Sequence, residues 1–438
     1  MGSPPTKTKQ FRLHIEEGDR SWLKDARFTS REVFVRSIEL KQRGLSRTDI
    51  QRHIKPDDYL ANNKCAVVGK ALATWGSYQK LRSQWLSLDN PEDYPEPGAP
   101  STDRKGAFPL VMAHGEGYRL TVRDDGRVGF SISAKPYKKV SGFLRGRHSD
   151  IGLLKDALTE TDGEYGFGQA EVLYREGVYY LHVPIQYNAD IPDKSDAETV
   201  IGVDINERNV ALTALNRETL ATKGTLVFDY GPVKGERARL HDISRRCQER
   251  DQHSIYRRIG DKEERYVNWV LYRISAAVLA FAETFDAPTI VFEDMSGIRD
   301  GMDYGTFMNR RLHRLPFRAL QDQIEHKAAW NEIPTFEVDA YYNSQTCSCC
   351  GERGTRRKGR FTCRNDECSL QQDHADRNAS VNVAWRGVRR ISSDDEPADN
   401  YRTRKTQPSV RLVSLCGSGR DVNRPTSSAQ LAARGVLN

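Results

Sequence analysis

At 438 residues the chain is long enough for roughly two to four domains, but its apolar fraction of 37% and mean hydropathy of −0.69 are low for a plain globular enzyme, so long solvated or partner-facing surfaces are expected. No run of about eighteen apolar residues exists, and the opening MGSPPTKTKQF lacks a signal peptide's apolar core, which argues against a membrane or secreted protein and for a soluble, cytoplasmic one. The net charge of +7, from 67 basic against 60 acidic residues, matters only where it is concentrated; five of the eight cysteines fall between Cys347 and Cys368, at a metal-ligand spacing and not in a disulfide framework.

A short strand is read around residues 11–15. From about residue 30 to 88 the pattern is helical: Val33, Phe34, Ile38 and Leu40 begin one helix, and Val67, Val68, Leu72, Trp75 and Leu81 give a second an apolar face. Lys70, Lys80 and Arg82 lie among Trp75, Tyr78 and Trp85, which suits a groove where rings stack on bases and cations meet phosphates. An amphipathic helix with a solvated face is the simpler reading. A Pro-rich linker at 90–103 leads to β-rich sequence. Residues 118–122 and 128–132 flank Asp124-Asp125-Gly126, and 172–174 and 178–183 flank Glu176-Gly177, as in hairpins of a small barrel or sandwich. Lys135, Lys138, Lys139, Arg145 and Arg147, with Tyr137 and Phe143 among them, are read either as a phosphate-contacting patch or as an ordinary solvated loop.

Polar, turn-rich residues 188–198 mark a second boundary. Three strands follow, at 199–204, 210–215 and 225–230, the first two joined by the tight turn Asn206 to Asn209. A long helical stretch carries Arg237, Arg239, Arg245, Arg246, Arg250, Arg257 and Arg258, then the stripe Val267, Val270, Leu271, Ile274 and Val278 at core-facing spacing. A strand at 289–293, a helix opened by Pro316 with Phe317, Leu320 and Ile324 inward, and a strand at 335–338 complete the element order of an RNase H-like fold. Residues 386–438 hold ten Lys/Arg against five Asp/Glu among Ser, Thr, Gly and Pro, too few apolar groups to offset ordering entropy, and are read as a mobile basic tail.

Three acids stand out. Asp204 closes the apolar strand VIGVD, Glu293 closes TIVFE, and Asp376 opens the helical ADRNASVNVAW. A carboxylate at the end of a buried strand is costly unless it is paired or metal-bound. Two divalent ions about 4 Å apart need hard oxygen ligands converging from separate elements, one ion activating water and the other stabilising the leaving oxygen. Taken singly, Asp204 also fits a turn cap and Asp376 a helix N-cap, and Asp294 competes with Glu293 from the opposite strand face. Their weight is joint. Cys347 and Cys350 form a C-x2-C pair, and Cys363 and Cys368 a C-x4-C pair twelve residues later, a set that matches tetrahedral Zn²⁺ in a segment too small for its own core. Cys349 is an extra thiol, so the choice between Cys349 and Cys350 stays open. Arg353, Arg356, Arg357, Lys358 and Arg360 between the pairs suggest that this finger also leans on phosphates.

The stretches IGVDINERNVALTA, IVFEDMSG, YYNSQTCSCCG and DRNASVNVA resemble the RuvC-type segments and zinc motif of the TnpB family, whose relatives include the ancestors of compact type V CRISPR effectors. The likeness runs over roughly residues 200–384, and the second knuckle, CRNDECS, departs from the family's usual C-x2-C-Gly. It places the catalytic, Mg²⁺-holding acids on Asp204, Glu293 and Asp376, with Mn²⁺ as a substitute metal, and the structural Zn²⁺ on Cys347, Cys350, Cys363 and Cys368. It implies a multidomain α+β chain: an RNase H-like (RuvC) α/β nuclease domain with an inserted zinc finger, preceded by a β-barrel wedge-like domain carrying a helical recognition insertion. The corresponding boundaries are 1–29 and 90–195 for the wedge-like domain, 30–89 for the helical one, 196–344 and 371–388 for the nuclease domain, 345–370 for the finger and 389–438 for the tail. The implied activity is RNA-guided cleavage of DNA beside a short flanking motif. The implied partners are a guide RNA and target double-stranded DNA, in a monomeric ribonucleoprotein with a dimer left open, near a prokaryotic nucleoid. Two alternatives remain: an RNA-guided repressor that does not cut, and an unguided, structure-selective RuvC-type nuclease. A single-strand transposase is disfavoured, because none of the ten histidines forms a His-x-His site.

Overall fold

The computed structural model describes residues 4–56, 59–88, 90–93, 96–206, 209–294, 317–340, 342–392 and 411–414. The chain divides into two compact units, Met1–Asn188 and Ala189–Asn438.

The first unit is built on strand β1 (Thr6–Glu17), which is first in sequence and interior in its sheet. Helices α1 (Arg20–Gln42), α2 (Arg47–His53) and α3 (Ala61–Leu86) follow it. Helix α1 starts ten residues ahead of the helical pattern read from about residue 30: Asp19 caps it by accepting the Ser21 amide at 2.7 Å, and Leu23 and Ala26 are already buried in its first turns. Its buried residues Leu23, Ala26, Ser30, Val33, Phe34, Ser37 and Ile38 recur at helical spacing. The C-terminal turns of α3, past Ala71, bury no residue, and Leu81 and Leu86 are more than half exposed. Trp75 and Tyr78, the aromatics read as groove residues, stand together there with ring centres 5.2 Å apart.

Strands β2 (Leu110–Met112), β3 (Tyr118–Val122), β4 (Val128–Lys135) and β5 (Lys138–Arg145) come next, then helix α4 (His148–Thr159) and strands β6 (Tyr165–Phe167), β7 (Ala170–Arg175) and β8 (Val178–Tyr187). They pair antiparallel in the order β2-β7-β8-β1-β5-β4-β3, with β6 on β8. No ladder joins β2 to β3 among the described residues, so the barrel expected from sequence is seen as one open path of strands. The hairpin β7–β8 closes through Glu176 and Gly177, both at positive φ (49° and 82°), the backbone that a two-residue turn of this hand requires.

The second unit is a mixed α/β layer. Strands β9 (Thr199–Ile205), β10 (Asn209–Asn216) and β11 (Thr222–Asp229) form an antiparallel meander. Helices α5 (Gly231–Gln248) and α6 (His253–Ala282) lead to β12 (Pro288–Glu293), helix α7 (Phe317–Trp330) and β13 (Thr335–Val338). Strand β12 lies parallel to both β9 and β13. A three-stranded ribbon, β14 (Gly354–Arg357), β15 (Arg360–Cys363) and β16 (Gln372–His374), precedes helix α8 (Ala375–Ser392), and β17 (Arg411–Ser414) adds a parallel edge beside β11. The large sheet therefore runs β13-β12-β9-β10-β11-β17. Of the stretch read as a tail, residues 389–392 continue α8 and 411–414 form β17; the remainder, like Pro316, lies outside the described residues.

Alternation along the strands sorts the two faces. Ile201, Val203, Ile290 and Phe292 pack with Val270, Ile274 and Val278 of α6 and Leu320 and Ile324 of α7. Val200, Val291 and Val338 turn the other way, onto Val383 and Val388 of α8. Helix α8 sits unusually close to β9, because a Cβ on Gly202 would lie 2.2 Å from the Ser380 carbonyl oxygen and 2.3 Å from the Ala384 amide. Glycine opposite this small-residue stripe sets the position of the whole helix.

Candidate active site and cysteine centre

Period-two alternation puts Asp204 on the face of Val200 and Gly202, and Glu293 on the face of Val291. Both are the α8 face. Strands β9 and β12 are parallel with Val203 beside Phe292, so Asp204 and Glu293 each stand one step beyond that pair, at the same end of neighbouring strands. Asp376 lies in the first turn of α8, which Gly202 lets settle against β9. The structure thus brings the three acids named from sequence to one end of the sheet. Asp204 and Asp376 are 5% and 2% exposed, and Glu293 is partly exposed.

Amides tie the acids together. Asn206 Nδ2 donates to Asp204 Oδ2 at 2.5 Å and to Asp376 Oδ1 at 3.0 Å, and Asn209 Nδ2 donates to Asp376 Oδ2 at 2.8 Å. Asn343 Nδ2 donates to Glu293 Oε1 at 2.8 Å, while its carbonyl accepts Asn382 Nδ2 from α8 at 2.8 Å. The Arg356 guanidinium, from β14, donates to Asp376 Oδ1. His374 Nδ1 is 4.0 Å from Asp376 Oδ2, buried, and without a hydrogen-bond partner among the described residues. Burial lifts Asp204 well above the ordinary carboxylate range, and the charges of Glu293 and Asp376 push it the same way against Arg356 and the Asn206 amide. Burial raises Glu293 too, opposed by the Asn343 hydrogen bond and by Arg386 and Arg356.

The donor set is hard oxygen, acid-rich and electrostatically unsatisfied, which fits divalent cations of the Mg²⁺ type. Asn206, Asn209, Asn343, Arg356 and His374 were not singled out as parts of the acid centre from sequence. The first two were read only as turn ends and Arg356 only as one of five basic residues; the pairing of an amide with each acid emerges only in three dimensions.

Below α8 lies the cysteine centre. The Sγ atoms of Cys347, Cys350, Cys363 and Cys368 all lie within 4.8 Å of one another, with Cys347 to Cys368 at 3.8 Å and Cys350 to Cys363 at 3.6 Å. Backbone amides two residues on, at Asn365 and Leu370, donate to the Cys363 and Cys368 sulfurs at 3.4 Å. Burial, with the neighbouring Cys350 and Cys363 acting the same way against backbone hydrogen bonds, pushes the Cys347 thiol up to about 12, so a bound cation is what would deprotonate it. The set is compatible with structural zinc. Cys349 is outside it, with Sγ 3.3 Å from Ser369 Oγ. The asparagines of DRNASVN lock the first cysteine loop onto α8: Asn378 bonds the Thr346 carbonyl and the Ser348 amide, and Asn382 bonds the Thr346 carbonyl as well as that of Asn343.

Comparison with known proteins finds likenesses in sequence and in fold. The family model of the Cas12f1-like TNB domain matches residues 317–383. A TnpB-like protein of Methanocaldococcus jannaschii is 26% identical over 165 residues, 35% of this chain and 57% of that protein. The CRISPR-associated endodeoxyribonuclease Cas12f2 of a Micrarchaeota archaeon is 26% identical over 224 residues, 48% of this chain and 41% of that one. Cas12f1 of Sulfoacidibacillus thermotolerans is 24% identical over 253 residues, 53% and 56% of the two chains. The chain thus spans about half the length of the curated relatives it matches. In fold it is similar to Cas12f1 in a complex with sgRNA and target DNA (TM-score 0.58, 13% identity, 86% of this chain and 98% of that one) and to the mini-RNA-guided endonuclease Cas_phi3 (TM-score 0.52, 10% identity, 88% and 93%). The chain is thus similar in sequence to TnpB-like and Cas12f proteins over part of its length. Among the described residues, no helix is long and apolar enough to cross a membrane.

Proposed function

We propose that the chain is an RNA-guided DNA endonuclease with a single RuvC-type active site at Asp204, Glu293 and Asp376. The observation that carries this reading is the convergence of the three acids from β9, β12 and the first turn of α8. The sheet order around them supports an RNase H-like nuclease core, since β11-β10-β9-β12-β13 holds an antiparallel meander on one side and parallel crossovers on the other. The relatives add the substrate and the guide: two carry the name endodeoxyribonuclease, and the structural neighbour with the TM-score of 0.58 is a complex with sgRNA and target DNA. From these we infer a guide RNA and double-stranded DNA as partners and the prokaryotic cytoplasm as the place of action.

When bound, two Mg²⁺ ions supply an activated water and a stabilised leaving oxygen. Asp204, Glu293 and Asp376 would hold them. Asn206, Asn209 and Asn343 fix the carboxylate rotamers, and such outer partners typically tune metal affinity or activity by about 10- to 100-fold. Arg356 balances the acid charge and carries the planar guanidinium that suits a phosphodiester. Cys347, Cys350, Cys363 and Cys368 would hold structural Zn²⁺ and so anchor β14, and with it Arg356, beside Asp376.

The test is dependence on RNA. No base-reading helix is evident in the chain, so sequence choice is assigned to base pairing, with the protein reading a short flanking motif. Purified protein is expected to carry a defined RNA, to cut double-stranded DNA in Mg²⁺ only with it, and to follow a reprogrammed terminal segment. RNA-free protein that cuts duplex DNA equally well would replace this reading with the unguided nuclease. One contact favours the non-cutting alternative: Arg356 already pairs with Asp376. Absence of cutting at saturating Mg²⁺ or Mn²⁺, with RNA and target bound, would decide for it.

A further inference from the structure

The first unit contains a cavity of about 550 Å³ lined by Arg20, Ser21, Lys24, Arg27, Phe28, Ala107, Tyr174, Gly177 and Tyr179. Two elements far apart in sequence make it. Arg20, Lys24 and Arg27 recur at helical spacing on the solvated face of α1, and the tight β7–β8 turn presents Tyr174 and Tyr179 opposite each other across the hairpin. Their rings stand 4.8 Å apart. Tyr174 and Phe28, large apolar groups that line it, leave 47% and 45% of their surface exposed.

The charged side chains of the wall are all cationic. None of the lining residues is acidic, and the nearest carboxylate on α1, Asp25, is held by Lys135 at 3.0 Å. The Arg27 Nε is buried and lacks a hydrogen-bond partner among the described residues, while its guanidinium carbon lies 5.9 Å from the Tyr174 ring centre. A buried donor without an acceptor is costly, and a ligand anion would satisfy it.

We propose that this cavity is a binding site for one unstacked nucleotide of a single-stranded nucleic acid, its phosphate met by Arg20, Lys24 and Arg27 and its base by the exposed faces of Tyr174 and Phe28. The volume suits a ligand of that size, and bases inside a duplex have no face to offer. Paired aromatic faces and cations are the combination that single strands require, whereas an acidic peptide would need the cations alone. The site rests on the nucleic-acid reading above but not on catalysis, since none of its residues is near the acids in sequence or belongs to the unit that carries them.

The experiment uses the full chain without added Mg²⁺. Short oligouridylate bearing 4-thiouridine and the matching oligothymidylate bearing 4-thiothymidine are photo-crosslinked and the adducts mapped by mass spectrometry. Adducts on the peptides of Phe28 or Tyr174 are expected. Labelling by the ribo probe assigns the site to RNA, and labelling by the deoxy probe assigns it to DNA. Tyr174→Ala should weaken binding at least about fivefold, Tyr174→Phe should restore it, and Lys24→Ala should lower the salt dependence. Thermal melting of each variant distinguishes a lost site from a lost fold, and Lys24, fully on the surface, is the variant least coupled to folding. Adducts confined to other peptides, unchanged binding by both Tyr174→Ala and Lys24→Ala, or equal displacement by inorganic phosphate or polyglutamate would overturn the site. If those results came from protein that still cuts DNA in Mg²⁺, the nuclease reading would stand and the pocket alone would fall.

Discussion

The three acids and the four cysteines meet opposite electrostatic problems within one unit. At the acids, like charges are brought together under cover, and the fold answers with single amides and one guanidinium, leaving Asp204 and Glu293 still biased toward their neutral forms. At the cysteines, loop amides are aimed at the sulfurs and all four thiols close to within 4.8 Å. An open, unsatisfied cluster suits ions that must meet substrate, and a closed one suits an ion that only holds the chain. Helix α8 joins them: Asp376 serves the first cluster, and Asn378 and Asn382, two and six residues on, bind the loop of the second. The difference predicts that damage to the acids stays local, whereas damage to the cysteines spreads.

The largest effect is expected at the acids. Asp204→Ala, Glu293→Ala and Asp376→Ala should each lower metal-dependent cleavage by a factor of order 10⁴, the scale for removing one member of a catalytic unit. Nucleic-acid binding should hold. Near wild-type cutting by any one variant removes that residue from the site. Cys363→Ser or Cys368→Ser should then separate the two clusters from the other side. Zinc content is expected to fall from about one per chain, the complement of a single four-thiolate site, and cleavage to fall with it, because β14 no longer presents Arg356 to Asp376. Zinc retained in both variants would dissolve the four-thiolate assignment.

A smaller effect reads the acid cluster through stability. Asp204 and Glu293 have raised pKa values in the folded, metal-free protein, so they favour the protonated form there. Their contribution to stability is full below the ordinary carboxylate range and is lost as pH climbs through the raised folded values. As pH rises from the ordinary carboxylate range, the melting temperature of metal-free protein should fall by a few degrees more than that of Asp204→Asn, and Mg²⁺ should restore it at the upper end. Parallel pH profiles for the two proteins would show that the acids are not strained without metal.

Much of this architecture is legible in sequence because it rests on local pattern. VIGVD and TIVFE read as buried strands since both faces are covered, and an acid after such a run is conspicuous; the sheet then needs only alternation to aim both acids the same way. What sequence does not show is whatever depends on register and approach. That Gly202 admits α8, that Asn206 bridges two carboxylates, and that Arg356 reaches Asp376 across a ribbon are facts of placement at long separation. The cavity between α1 and the β7–β8 turn is hidden for the same reason: its cations look like a solvated helix face until Tyr174 and Tyr179 are set opposite them. The start of α1 is faint in sequence because its first turns are mostly charged or polar and bury only Leu23 and Ala26 ahead of Ser30, with Asp19 as the cap.

The smallest expected effect resolves the one choice that spacing leaves open. CSCC offers three thiols in four residues, and a C-x2-C knuckle could be drawn only from Cys347 to Cys350, yet a neighbouring thiol can substitute when the loop is soft. Here the loop is tied down: the Gly351 amide bonds the Cys347 carbonyl at 3.0 Å, the Cys347 amide bonds the Glu352 carbonyl at 2.8 Å, and Gly351 turns at φ 83°. That backbone sends Cys350 Sγ to the cluster, 3.6 Å from Cys363, and Cys349 Sγ toward Ser369. Cys349→Ser should therefore keep about one zinc per chain, as a complete four-thiolate set does, with stability changed by about 1 kcal/mol or less for a near-isosteric swap of a buried side chain. Cys350→Ser should release the metal. Mass spectrometry of the intact protein under non-denaturing conditions reads both, and zinc lost from the Cys349 variant but kept by the Cys350 variant would reverse the assignment.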